Sequence, residues 1–511
     1  MKDKHVNVAI FGSGLAGLTA AVTLLEKGVT GVAVFEKRPF QGGAVSNTPM
    51  CVMAVKNDPE YQDRAFHAHC EFTNYNANMA VARRWLNNSW RIVPFIESLG
   101  LDFAGVVETP LDEIGVKNGY TGGFPKGMNL GDYYILKARG KGHGAALICL
   151  RAANKVKSLG GELVLNTQLL ELIRTDGRVT GALVKEKNGE VYRVHARAVI
   201  VATGGVGDDK ALAEAMSGYK ITDRECSHGG NMYFNHFVNG GMDGDGHRAI
   251  WKAGGAVMPG MGVGRLLAYP GVVNFVPWQT RNQMHTIAEQ PYLVVNKAGK
   301  RFINEEENQV SFNMAAAMKN QPGRVAYLIF DEDTMTRLEN HGTEYFYMIF
   351  PAVKIINGRE QFREMIQVQK NKHVFVCDTV EELAEKAGID REQLLNTVHR
   401  YNHLCDQGHD DDFAKNPEYM QPVRKGSYYA IELCNCTYNI IGGIRINEDC
   451  AVLEPDGTPI EGLYAAGDLA SGDVYGYPMP NVCATSTIAY TQGLICADVL
   501  AEKLKEDKVS W

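Results

Sequence analysis

The stretch from Val6 to Lys37, VNVAIFGSGLAGLTAAVTLLEKGVTGVAVFEK, constrains the fold of this chain more than any other. It opens with an apolar run, Val6 to Phe11, of the kind that makes a buried parallel strand. Gly12-Ser-Gly14-Leu-Ala-Gly17 follows at once, then a helical pattern from Leu18 to Lys27. A second apolar run, Val32 to Phe35, ends in Glu36. Each glycine has its own task in such a unit: Gly12 permits a tight turn, Gly14 lets a pyrophosphate reach the backbone, and Gly17 lets helix and strand pack closely. The first amides of the helix then face the phosphates. Glu36, 19 residues past Gly17, can accept hydrogen bonds from a ribose hydroxyl. Among 54 glycines a bare GxGxxG would say little. Strand, glycines, helix, strand and acid in that order predict a dinucleotide site.

A chain of 511 residues has room for two or three domains, one of them discontinuous. The net charge of -7 and the absence of a basic block argue against nucleic acid as a partner. No uncharged apolar run approaches the ~18 residues that span a bilayer, so no membrane partner is expected. The opening MKDKHVNVAIFGSG enters the first strand directly and leaves a signal peptide no room, so the cytoplasm is the expected location. Eleven cysteines contain no CxxC, which removes iron–sulfur and haem-attachment motifs. Cys434 and Cys436 share a face if their segment is a strand, and they read as small buried residues rather than a redox pair. His409-Asp-Asp-Asp412 reads as solvated loop, so no metal site is expected.

Along the chain, Asn78 to Leu99 reads as one helix with Trp85, Trp90, Phe95, Ile96 and Leu99 at core spacing. Leu147 to Leu159 is a second helix, leading into the strands Glu162 to Asn166 and Leu169 to Arg174. The turn pairs Asp176-Gly177 and Asn188-Gly189 predict an antiparallel hairpin element. Val199 to Gly205 is an apolar strand that runs into glycines. The middle, 267–438, changes texture: aromatic loops, the run Tyr292 to Asn296, and helices over Thr379 to Ala387 and Arg391 to Leu404. From Gly442 strands and glycines resume, and a last helix covers Thr485 to Leu500.

GSGLAG with Glu36, the pair Gly42-Gly43, AVIVATGG, GKRFINE at 299–305, IIGGIRIN at 440–447 and GLYAAGDLASG at 462–472 occur in this order. Together they resemble the FAD-binding flavoproteins of the fumarate reductase and succinate dehydrogenase type, a group that includes urocanate reductases and 3-ketosteroid dehydrogenases. The resemblance implies an α/β fold: a discontinuous Rossmann-like FAD-binding domain, 1–266 and 439–511, with an inserted α+β capping domain, 267–438. Carried over by position, it implies that Gly12, Gly14, Ala16 and Gly17 hold the pyrophosphate and that Glu36 holds the ribose. Lys37, Gly43, Ala44 and Ser46 flank the nucleotide. Leu169 offers backbone to the adenine, and Ala202, Thr203 and Gly204 pass beneath the cofactor. Gly467 and Asp468 meet the ribityl or pyrophosphate, and Ser486 and Ile488 lie by the flavin ring. Relatives that attach FAD covalently use a histidine within Ser-His-Thr. The comparable triplet here is Ser46-Asn47-Thr48, so dissociable FAD is expected.

Three positions that carry charge in fumarate-acting relatives are neutral. Gln309 stands at the proton-donor position, Asn439 replaces the histidine before the paired glycines, and Met479 matches the carboxylate-binding arginine. An amide is no general acid near neutral pH, and a buried dicarboxylate without counter-ions costs several kcal/mol per charge. Fumarate and succinate are therefore not expected as substrates. Tyr475, Tyr477, Pro478, Met479 and Pro480 suggest an aromatic, apolar pocket instead. The catalytic candidates are Tyr477, as an electrophile toward a ring carbonyl or as a turn residue; Gln309, by position; His285, as a relay or a core histidine; and Arg301, at the substrate or ordering its loop.

The expected activity is hydride transfer between flavin N5 and a carbon next to an electron-withdrawing group in a small molecule, with reduction of an activated C=C favoured. A 3-ketosteroid-type dehydrogenase is one alternative, and a non-catalytic flavin-binding electron-transfer or sensor subunit is another. No second nucleotide fingerprint or haem motif supplies electrons, which points to a separate donor, either a flavin reductase or NAD(P)H.

Overall fold

The strand Asp3–Phe11 lies inside an eight-stranded sheet, parallel to Val32–Phe35 on one side and to Val191–Val201 on the other. Val8, Ala9, Ile10 and Phe11 are at most 1 % exposed, which is why this run is continuously apolar rather than alternating. In this computed structural model the described residues are 3–43, 51–115, 130–136, 144–218, 220–222, 232–234, 241–258, 263–268, 283–308, 311–344, 354–440, 442–476 and 484–506. The sheet continues through Pro459–Ala465 to Ala451–Leu453 at one edge and ends on Glu162–Val164 at the other. Both ends of the chain therefore contribute strands to one layer.

The hairpin Thr167–Thr175 with Arg178–Glu186 joins that sheet antiparallel to Val191–Val201. Its turn residues Asp176 and Gly177 have φ of 49° and 83°, the left-handed pair that matches strand twist. The helix Leu15–Glu26 packs against the long helix Ala484–Glu506. Gly493 makes that contact possible, since a Cβ there would come within 2.6 Å of the Ala16 carbonyl oxygen.

A seven-stranded sheet forms the second body around Tyr428–Ile440. Val325–Asp331, Val374–Cys377 and Val263–Ala268 pair antiparallel with that strand, and Leu293–Asn296 pairs with Val325–Asp331. Apolar clusters cover both faces, with Tyr429, Ile431 and Leu433 on one and Tyr327, Ile329 and Ala430 on the other. This sheet also takes the strands Ile221–Thr222 and Met232–Phe234, which precede residue 267. Cys434 is buried, as its spacing suggested, but it and Cys51 each take part in a disulfide, which the spacing did not suggest. A third sheet joins Cys51–Ala54, Asp132–Leu136 and Phe103–Val107.

The single helix expected over 78–99 is two helices, Met79–Asn88 and Ile92–Ser98, separated by a 3-10 turn, Ser89–Arg91. Pro94 explains the break, because its ring and missing N–H disrupt the helical bond to residue 90. Ser89 Oγ donates to the Leu86 carbonyl (3.0 Å) at the same point.

Candidate cofactor site

The glycine turn leaves the strand Asp3–Phe11 under tight steric control. Gly12 has φ +105°, and a Cβ on it would lie 2.3 Å from the Ala202 carbonyl oxygen. Gly17 sits behind the turn, where a Cβ would lie 2.0 Å from the Gly12 oxygen, so its task is packing rather than ligand contact. Gly14 is the N-cap of Leu15–Glu26 and has no side-chain cap. The first helical amides are thus left for an anion, with the positive end of the helix dipole behind them.

Glu36 is 5 % exposed and organises the turn. One carboxylate oxygen accepts from Ser13 N (3.0 Å) and Ser13 Oγ (2.7 Å). The other accepts from Arg38 N (3.0 Å) and Arg38 Nε (3.1 Å). Gly42 N donates to the Ser13 carbonyl (3.0 Å), which draws Gly43 opposite Gly14. Lys37 pairs with Asp243 and lies 3.5 Å from Asp245, which also accepts from Gln168 Nε2 (2.9 Å). Burial raises the Asp245 carboxyl; Lys37 opposes that shift and Asp243 adds to it.

The far wall comes from the other end of the chain. Gly467 N donates to Gln492 Oε1 (2.7 Å), and the Asp468 carbonyl accepts from Gly442 N (2.6 Å) and Ser471 Oγ (2.8 Å). Gly442 is fixed in turn by buried His247, whose Nε2 lies 2.8 Å from the Gly442 oxygen. Burial pulls that imidazole down to about 4, so it is neutral at working pH and Nε2 carries the donated proton.

These elements line an open cleft. Of the residues expected from sequence, Gly12, Gly14, Ala16, Glu36, Lys37, Gly43, Leu169, Ala202, Thr203, Gly204, Gly467 and Asp468 line it. Ser486 and Ile488 are buried in the last helix outside the lining, although Ala489 beside them belongs to it. Ala44 and Ser46 lie outside the described residues. Ser13, Arg38, Thr167, Gly241, Met242 and Asp245 line the cleft without having been singled out. The run Gly-Met-Asp-Gly-Asp-Gly at 241–246, opening a helix, was the available signal. The lining fits an adenine dinucleotide: bare helix amides and Cβ-free turns face the cleft.

The catalytic candidates divide. Tyr477 and Gln309 lie outside the described residues, and of His285 only its backbone, in the helix Met284–Ala288, is described. Arg301 belongs to a buried ion group. Its guanidinium donates to both oxygens of Glu305 (2.8 and 2.8 Å) and both of Asp410 (3.0 and 2.7 Å), and it faces the rings of Tyr401 and Phe413. Lys415 Nζ completes the group, 2.8 Å from Tyr401 Oη and 3.4 Å from Glu305. Burial pushes the Asp410 carboxyl up, but the bonds and charge of Arg301 outweigh it and hold the group down to about 2. One expectation is corrected here: Asp410 is 1 % exposed, not solvated, because it and the fully buried Glu305 are balanced by the two cations Arg301 and Lys415. Nearby, Asn308 Nδ2 donates to the Ala288 (2.7 Å) and Gln290 (2.9 Å) carbonyls, pinning Glu289 between them. Glu289 is 5 % exposed, and burial pushes its carboxyl up to about 8.

The sequence profile of the family described as FAD binding domain matches residues 7–479. The chain is 28 % identical over 514 aligned residues to the vinyl phenol reductase of Lactiplantibacillus plantarum, covering 94 % of each chain. It is 26 % identical to a fumarate reductase (cytochrome) of Shewanella frigidimarina, covering 91 % of this chain and 72 % of that one. Its fold superposes on the 3-ketosteroid-delta4-(5alpha)-dehydrogenase of Rhodococcus jostii with a TM-score of 0.70, at 18 % identity and over 98 % and 97 % of the two chains.

Proposed function

Because the chain belongs to the FAD-binding-domain family, we propose that it is an FAD-dependent oxidoreductase acting on CH–CH groups. Its substrate is an activated alkene beside a carbonyl or an equivalent electron-withdrawing group, carried by an aromatic, cyclic or otherwise apolar molecule that is not a dicarboxylate. Reduction of the C=C bond is the favoured direction. When bound, FAD supplies the hydride acceptor and donor at N5. The first amides of Leu15–Glu26 and the Gly12–Gly14 turn hold the pyrophosphate, Glu36 orients the ribose through Ser13, and Gly467 with Asp468 closes the opposite side. No residue of the triplet 46–48 offers a ring nitrogen, so FAD is retained without a covalent bond.

The observation that carries the substrate class is the state of Arg301. With four of its five N–H donors given to Glu305 and Asp410, and both of its paired edges taken, it has no fork left to clamp a substrate carboxylate. Gln309, Asn439 and Met479 add no charge. An uncharged substrate avoids the cost of burying unpaired carboxylates. Tyr477 is the proposed hydroxyl that stabilises charge developing on the substrate oxygen, and His285 the proposed proton relay. The near-full-length likeness to a vinyl phenol reductase supports conjugated aromatic alkenes in particular. Electrons arrive from a separate flavin reductase or from NAD(P)H. Among the described residues no helix is long and apolar enough to cross a membrane.

The test is anaerobic photoreduction of the holoprotein followed by mixing with vinyl phenols, cinnamates, cyclic enones, a 3-ketosteroid or fumarate. Flavin absorbance is expected to return with a conjugated aromatic or cyclic alkene and not with fumarate. Reoxidation by fumarate alone, or by nothing in the panel, would overturn the reading.

A further inference from the structure

We infer that Asp208 is a latch on the adenosine end of the cofactor cleft, a positioning residue that sets how long FAD stays bound. The inference rests on the cofactor site and does not depend on which substrate is reduced. Gly241 and Met242 form part of the cleft wall. They are held by one residue three ways: the Asp208 carboxylate accepts from Gly241 N and Met242 N (2.8 Å each), and Asp208 N donates to the Met242 carbonyl (2.8 Å).

The geometry explains why the hold matters. Asp208 follows the cleft floor Ala202, Thr203 and Gly204 by a few residues, so the latch ties wall to floor directly. Gly204 faces the Met242 side chain, since a Cβ there would lie 3.8 Å from Met242 Cγ. The other anchor of the wall is Lys37, packed beneath Gly241 and paired with Asp243 and Asp245. A wall held at both ends must part from one anchor before a nucleotide can leave past it. Asp208 supplies a charge-assisted bond to two consecutive amides, a stronger tether than neutral contacts give. Neighbouring Asp209 is committed elsewhere, capping Lys210–Ser217 through Leu212 N and pairing with Arg248.

The test uses the holoprotein and its reconstitutable apoprotein, with D208A, D208N and D208E. In D208A, which loses both charge-assisted bonds, the FAD release rate and the Kd of ADP for the apoprotein should each rise at least about tenfold. FMN binding should not move, because the latch acts on the adenosine end. D208N should stay within about threefold of the unmodified protein, since its amide oxygen still accepts both N–H groups. Unchanged release in D208A, equal loss of ADP and FMN binding, or a D208N loss as large as that of D208A would each overturn the inference. Should D208A yield no folded protein, D208E decides: its longer side chain cannot keep the two short bonds, and unchanged release would overturn the latch.

Discussion

Replacing Glu289 with glutamine should stabilise the protein by an amount that grows with pH. The carboxyl is buried and titrates near 8 rather than at the usual 4.5. The folded state therefore binds a proton that the unfolded state has already released at neutral pH. The stability this acid contributes is fully present below 4.5 and is lost as pH rises to 8. Each pH unit in that window costs about 1.4 kcal/mol, so between pH 5 and pH 7.5 the loss is roughly 3 kcal/mol. Glutamine does not titrate and carries no such slope. Any constant effect of the swap, from packing or a changed hydrogen bond, shifts both ends equally and cancels in the comparison. The assay is urea unfolding of the E289Q and unmodified apoproteins at several pH values, with the same m-value required of both. The gap between the two stability curves should widen by about 3 kcal/mol from pH 5 to pH 7.5. Curves that stay parallel across the window would refute the argument that Glu289 is folded in its neutral form.

Truncating Arg301 to alanine strands Asp410 without a counter-ion and leaves Glu305 with Lys415 alone, and should cost about 3–5 kcal/mol in thermal or chemical unfolding; a loss under 1 kcal/mol would mean the group is solvated after all. Because Asp410 is held down to about 2, its contribution is present above 3.8 and disappears as pH falls through 2. D410N should therefore lose the acid limb of the unmodified protein's stability profile, which calorimetry between pH 4 and pH 2 would read. G14A and G17A should fail differently. A Cβ on Gly14 meets Gly43 Cα at an ordinary 3.7 Å, so G14A should fold and melt normally but release FAD, as its absorbance spectrum would report. A Cβ on Gly17 lies 2.0 Å from the Gly12 oxygen, so G17A should lose about 1–3 kcal/mol of stability as well as FAD.

What the sequence disclosed and what it hid follow from distance along the chain. The turn from Gly12 to Glu36 was legible because strand, glycines, helix and acid lie within one short unit whose spacing is the chemistry. The same holds for Asp176-Gly177, where two residues decide a hairpin. Asp410 read as solvent-exposed because its partner, Arg301, is 109 residues away. Asp245 was passed over for the same reason, with Lys37 208 positions distant. Pairing across such separations leaves no period to detect. The break at Pro94 was a local signal outweighed by aromatic spacing that fits both the single helix and the broken one. The early strands of the second sheet are two and three residues long, too short to show alternation.

The cleft is built from the first helix of the chain and the last, lying side by side. During synthesis, the turn that meets the phosphates emerges about 475 residues before Ala489 completes the opposite wall. At ~5–20 residues per second that interval is roughly 24 to 95 s. A nascent chain thus carries half a nucleotide grip for most of its time on the ribosome, and the vitamin-derived group joins a polypeptide that is already nearly finished.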